Sequence, residues 1–186
     1  MKSLSSQVVV SDADVIIKLY KAKHLNILEL LYTKVIIPGR VHSEILKEVG
    51  LPDPLVQYDW LNRINLNDRT VLTSTQIQGI EITLQSYKDA LDDGEREAFA
   101  LAQELRIPVL LIDDVSAKRI IENNSDILGI SHFEILFQAI HKRMLTPQDA
   151  ENIFKDINAV VTYPIRTPFD DLMKRVRKKY NDLELF

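Results

Sequence analysis

The segment Gln7–Lys18, QVVVSDADVIIK, restricts the fold more than any other part of the chain. Three consecutive valines make a β-branched run that suits a strand buried on both faces. Ser11, Asp12, Ala13 and Asp14 follow at once, and apolar residues at helical spacing resume with Val15. A buried strand that ends in carboxylates and passes directly into a helix is a natural opening for a parallel α/β sheet. In open sheets of that type, ligands sit outside the carboxyl ends of the strands. One aspartate is expected to cap the following helix, and Asp14 is assigned to that task. Asp12 is then left at the sheet edge with no structural work.

The rest of the chain repeats the strand-then-helix pattern. Val15–Tyr32 reads as helical with a break near Lys21–His24, Lys34–Pro38 as a short strand, and Gly39–Val49 as a helix stopped by Gly50. Leu55–Leu61 is expected to be a short helix, Ile64 and Leu66 part of an edge strand, and Gln76–Asp89 a helix. Asp92-Asp93-Gly94 reads as a turn before the clearest helix, Glu95–Leu105, whose Ala98, Leu101, Ala102 and Leu105 share one face. Val109–Ile112 is a second wholly apolar strand, ended by Asp113-Asp114 and followed by a helix from Val115. Ser125–Leu128 is a candidate last strand and Phe133–Met144 an amphipathic helix. Thr146-Pro147 and Thr167-Pro168 have the form of helix starts, with threonine at the N-cap and proline at the first helical position. The last helix, Phe169 to about Leu183, carries the basic run from Lys174 to Lys179. These elements predict a three-layer α/β/α fold around a mainly parallel sheet. Residues 1–145 form the main domain and residues 146–186 a helical extension packed on it.

Composition removes several function classes. With 186 residues, 46% of them hydrophobic, one well-buried core is expected. No apolar run approaches the roughly 20 residues of a membrane span, and MKSLSSQVVV lacks the apolar region of a secretory signal. The absence of cysteine excludes disulfides and thiolate zinc sites and suits the reducing cytoplasm, where the protein is expected. A net charge of −4 argues against indiscriminate nucleic-acid binding by total charge. His24, His42, His132 and His141 are scattered without the spacing of a zinc site.

The acids form the informative pattern. Two apolar strands end in carboxylates, Asp12 with Asp14 and Asp113 with Asp114, and parallel strands bring those ends to one edge. Glu44 neighbours the inward residues Val41 and Ile45, and Glu95 opens the helix after Gly94. Each acid alone has an ordinary explanation as a cap, a dipole partner or a solvated side chain. Together, four carboxylates without an internal cation would repel one another and lose stability. A hard divalent cation removes that cost, and oxygen donors without Cys favour Mg²⁺ or Mn²⁺.

Four segments, QVVVSDADVIIKL, VIIPGRVHSEIL, LDDGEREAFALAQEL and VLLIDDVSAKRI, resemble PIN domains in order, separation and setting, spanning Gln7 to His141. The likeness is greatest to the toxin-type branch with GE and DD motifs. The resemblance implies a metal-dependent endoribonuclease hydrolysing RNA phosphodiester bonds, and the toxin of a toxin–antitoxin pair. It assigns Asp12, Glu44, Glu95 and Asp114 as catalytic metal-binding acids, with Asp113 and Asp14 secondary. Asp14 could join the site, cap the helix or hold a ligand water. Lys18, Arg40, Lys118 and Arg119, and also Arg96, could contact phosphate. The implied partners are RNA, an antitoxin protein and a second copy of the chain, through Ile27–Leu31 or Val71–Leu84. Two alternatives stay open. One is a haloacid-dehalogenase-like phosphatase with Asp12 as nucleophile and Asp14 as general acid. The other is an inactive PIN-like module that binds RNA or protein.

Overall fold

The structure, a computed structural model, describes residues 8–182. Gln7 and Leu183, the expected outer limits of the first strand and last helix, lie outside the described residues. Five strands form one wholly parallel sheet: β1 (Val8–Ser11), β2 (Lys34–Pro38), β3 (Leu61–Ile64), β4 (Val109–Leu111) and β5 (Leu128–Ile130). Val9 and Val10 are both completely buried although they point to opposite faces, which explains the unbroken valine run. Helices cover both faces and give the three-layer α/β/α architecture.

The order across the sheet is β3-β2-β1-β4-β5. The chain therefore builds outward from β1 in one direction, then crosses back and builds outward in the other. Between β1 and β4 the winding direction reverses, the position at which open α/β sheets hold their ligands beyond the carboxyl ends of the strands. Backbone hydrogen bonds continue past the ladder: the Asp12 amide donates to the Leu111 carbonyl at 2.9 Å, and the Ile112 amide to the Ile130 carbonyl at 2.9 Å. Asp12 and the Asp113-Asp114 pair are thus carried to the same place by main-chain register.

The intervening helices are α1 (Ala13–Lys21), α2 (Ile27–Leu31), α3 (Gly39–Val49), α4 (Ser74–Ser86), α5 (Asp93–Glu104) and α6 (Val115–Asn124). The expected break between the first two is real, and Lys23 takes a left-handed φ of 65° there. Among the boundaries that differ from expectation, three bear on the sheet and the site. The stretch after Pro54 is a single 3₁₀ turn, Pro54–Gln57, because Leu61 is drawn into β3 beside Val35. Gly129 lies inside β5 and not after it, since the parallel register pairs it with Leu110. Helix α5 begins at Asp93, so Asp92-Asp93-Gly94 is not a free turn: Asp92 is an N-cap.

Three helices complete the fold: α7 (His132–His141), α8 (Pro147–Val160) and α9 (Phe169–Asp182). Thr146 caps α8 with Pro147 at its first position, as its sequence indicates. Helices α8 and α9 are integral to the packing. Ala150 and Ile157 are fully buried, Phe154 meets Phe169 at 5.4 Å between ring centroids, and Tyr180 stacks on Phe137 at 5.7 Å. The apolar residues Ile27, Leu28 and Leu31 of α2 belong to the core, leaving Leu30 exposed there.

Candidate active site at the carboxyl edge of the sheet

Asp12 occupies the N-cap position of α1 with extended backbone (φ −76°, ψ 167°), yet its carboxylate makes no capping hydrogen bond. It is 7% exposed. Asp14 is not the cap expected from sequence, because α1 starts at Ala13 and leaves it inside the first turn. It pairs instead with Lys18, one turn on, at 3.2 Å. Burial, followed by the charges of Asp14, Asp92 and Glu95, pushes the Asp12 carboxyl up to about 8, against a smaller opposing hydrogen bond from the Ala13 amide.

Glu95 is fixed by a reciprocal capping box. Its amide donates to Asp92 Oδ1 at 2.8 Å, and its Oε2 accepts from the Asp92 amide at 2.9 Å. The residue is 8% exposed. Burial raises its pKa, and after the opposing Asp92 amide come the charges of Asp92, Asp114 and Asp14. Asp114 is the N-cap of α6, its Oδ1 accepting from the Ala117 amide at 2.7 Å. Asp92 is an acid of this edge that motif reading passed over. The spacing Asp92-x-x-Glu95 is itself a capping-box signature and could have shown it.

Glu44 reaches the group from α3. Its Oε2 approaches the backbone at Gly94 so closely that a Cβ there would lie 2.5 Å away. Gly94 is therefore the residue that lets α3 set a carboxylate against the start of α5. Burial and the charge of Asp92 raise the Glu44 pKa, while Arg40, with Nε 3.4 Å from Oε1, and Lys47 oppose the shift.

Asp113 is placed differently from its neighbours. One oxygen accepts from Lys18 Nζ at 2.8 Å, and the other from the His132 amide at 2.8 Å, with His132 Nδ1 within 2.9 Å of both. Burial alone would raise this carboxyl, but His132 and Lys18 hold it well below the usual range. Asp113 thus ties α1 and α7 to the end of β4. Lys18 is likewise occupied, bridging Asp113 and Asp14. Arg40 is bound to Glu44 and Asp93, Arg96 to Asp93, and Lys118 to Glu134. Of the cations expected to meet phosphate, Arg119 alone has no ion pair among the described residues.

Among the described residues, no group of three or more His, Asp or Glu side chains already stands in an arrangement that holds a metal ion. In kind the acids do fit a hard divalent cation. Their donors are all carboxylate oxygens, and among the described residues no lysine, arginine or histidine pairs with Asp12, Asp92, Glu95 or Asp114.

Comparison with protein families matches the PIN domain over residues 8–177. The chain belongs to the PIN domain family. The fold is therefore of the nuclease type, and the phosphatase alternative falls away with its family. The PIN match continues past His141 through α8 and into α9. No curated protein matches the chain. Among the described residues, no helix is long and apolar enough to cross a membrane.

Proposed function

We propose that this PIN domain is a Mg²⁺- or Mn²⁺-dependent endoribonuclease that hydrolyses RNA phosphodiester bonds at the carboxyl ends of β1 and β4. One observation carries the proposal: at the winding reversal the buried Glu95 feels the charge of Asp114 and the buried Asp12 feels that of Glu95, and among the described residues no lysine, arginine or histidine pairs with any of the three. These three, with Glu44 beside Gly94, are the residues that would hold the ion. A bound divalent cation supplies Lewis-acid charge for the scissile phosphate and a water nucleophile at neutral pH. The chain itself contributes orientation. The Asp92 capping box fixes the Glu95 side chain, the Ala117 amide fixes Asp114, and the Lys18–Asp113–His132 link holds together the helices that flank Asp12.

The test is cleavage of labelled single-stranded RNA with Mg²⁺, with Mn²⁺ and with EDTA. Asp12→Asn and Asp114→Asn should each lower the rate roughly a hundredfold or more, since each removes a ligand charge. If both variants cut as fast as the parent, the proposal fails. The same activity makes this chain a candidate toxin that an antitoxin partner would restrain. Induced expression should then arrest growth for the parent and not for Asp12→Asn.

A further inference from the structure

A groove leads away from the acid edge between α6 and α9. Its inner part, about 360 Å³, begins at Asp113 and Val115 and runs between Lys118 and Arg119 on one wall and Arg175 and Lys179 on the other. A second depression of about 670 Å³ shares Glu122, Arg175 and Lys179 with the first and continues past Lys178 to Leu128. The two form a continuous channel, and its inner wall is the helix that Asp114 caps.

Charges in the channel are only partly spent. Lys118 and Lys179 are bound to Glu134, and Lys179 also to Glu122 at 3.3 Å. Arg119, Arg175 and Lys178 line the walls with no ion pair among the described residues, against Asp126 at the far end. Guanidinium groups suit phosphate because their planar fork donates two parallel hydrogen bonds. Apolar surface is interleaved with them: Val115 is 79% exposed at the inner mouth, and Phe133 lines the inner channel. Alternating fixed cations and apolar faces match a polymer of phosphates and flat bases.

We propose that the α6–α9 groove binds the phosphate backbone of the RNA strand next to the bond that is cut, with Arg119 and Arg175 as its principal phosphate contacts. This extension rests on the nuclease assignment of the acid edge. The groove starts at Asp113 and Val115, the two neighbours of Asp114 in the chain, which favours a nucleic acid over an acidic protein, because a strand lying across the acids would pass directly into it.

The experiment measures binding of a fluorescent single-stranded oligouridine to the full chain in EDTA, where cleavage is silent, over a range of salt. The double variant R119A/R175A should bind at least about tenfold more weakly. Its log-affinity against log-salt slope should be smaller by about 1.4, two contacts at roughly 0.7 each for a single strand. Lys155→Ala, on the exposed face of α8, should bind as the parent does. Unchanged affinity and slope in R119A/R175A, or no binding by the parent at low salt, would overturn the proposal. So would polyaspartate binding as tightly as the RNA and with the same dependence on the two arginines. If the groove variants lose binding while the parent never cleaves RNA with Mg²⁺ or Mn²⁺, the groove stands and the nuclease assignment falls.

Discussion

The burial of Asp12 has a measurable consequence in the metal-free protein. Its carboxyl titrates at about 8 in the fold against an ordinary value of 3.8, so between those limits the folded state holds a proton that the unfolded chain releases. Stability must then fall as pH rises through this window. From pH 5 to pH 7 the loss from Asp12 alone is about 3 kcal/mol. For a chain of this size, that lowers the melting temperature by on the order of 10 °C. Glu44, Glu95 and Glu97 are shifted in the same direction and add to the slope. Asp113 and Glu134 are shifted downward, so their contribution is complete in this window and disappears only in acid. Asp12→Asn removes the ionisable group and its repulsion of the neighbouring acids while keeping size and shape. Urea or thermal unfolding in EDTA at pH 5, 6, 7 and 8 should show a steep decline for the parent and a much shallower one for Asp12→Asn, which should be the more stable of the two above pH 6. Saturating Mg²⁺ or Mn²⁺ should restore the parent increasingly as pH rises, and leave the variant nearly unmoved, because the ionised carboxylate is the form that binds. Equal pH slopes in the two proteins would refute the reasoning, as would a parent whose stability does not change with pH.

Two further outcomes test how the other acids are held. Gly94→Ala improves helix propensity in α5 by up to about 1 kcal/mol but drives a Cβ against the Glu44 carboxylate. Stability by thermal melt should therefore hold or rise while metal-dependent cleavage drops, and unchanged cleavage would dissociate Glu44 from the site. Asp113→Asn removes the buried carboxylate that Lys18 and His132 meet, leaving Lys18 only Asp14, and should destabilise by about 2 kcal/mol at neutral pH in urea unfolding. Because the folded pKa of Asp113 is lowered, this contribution is full above the unfolded carboxylate value of about 4 and is lost below it. The gap between parent and variant should accordingly close in acid.

Periodicity made the strands and most helices legible, and the two apolar runs ending in acids identified the edge where the candidate site lies. What periodicity could not supply was the order of the strands. Nothing local in Val109–Leu111 says that it inserts beside β1, and that adjacency is what brings the acids after β4 to the same sheet edge as Asp12. Periodicity also did not separate Asp113 from Asp114; only the family resemblance ranked them. Adjacent residues after a strand point apart, and which of them meets Lys18 and His132 depends on α1 and α7, which are remote along the chain. Asp14 was misplaced for a simpler reason: α1 starts at Ala13, two residues before its apolar stripe resumes at Val15, so the second aspartate falls within the first turn. Asp92 was hidden by its company, since Asp92-Asp93-Gly94 has turn composition and only the Glu three positions on reveals a cap.

The position of α9 gives the two halves of this protein different freedom to vary. No strand residue comes from α9; it leans on α7 through Val176 and Tyr180 and meets α8 through Phe169. Its outward-facing Arg175 and Lys178 can be exchanged without disturbing the main-chain register that sets Asp12 against the end of β4. On the proposed reading, substitutions on α9 would change how RNA is gripped while leaving the acids of the sheet edge in place.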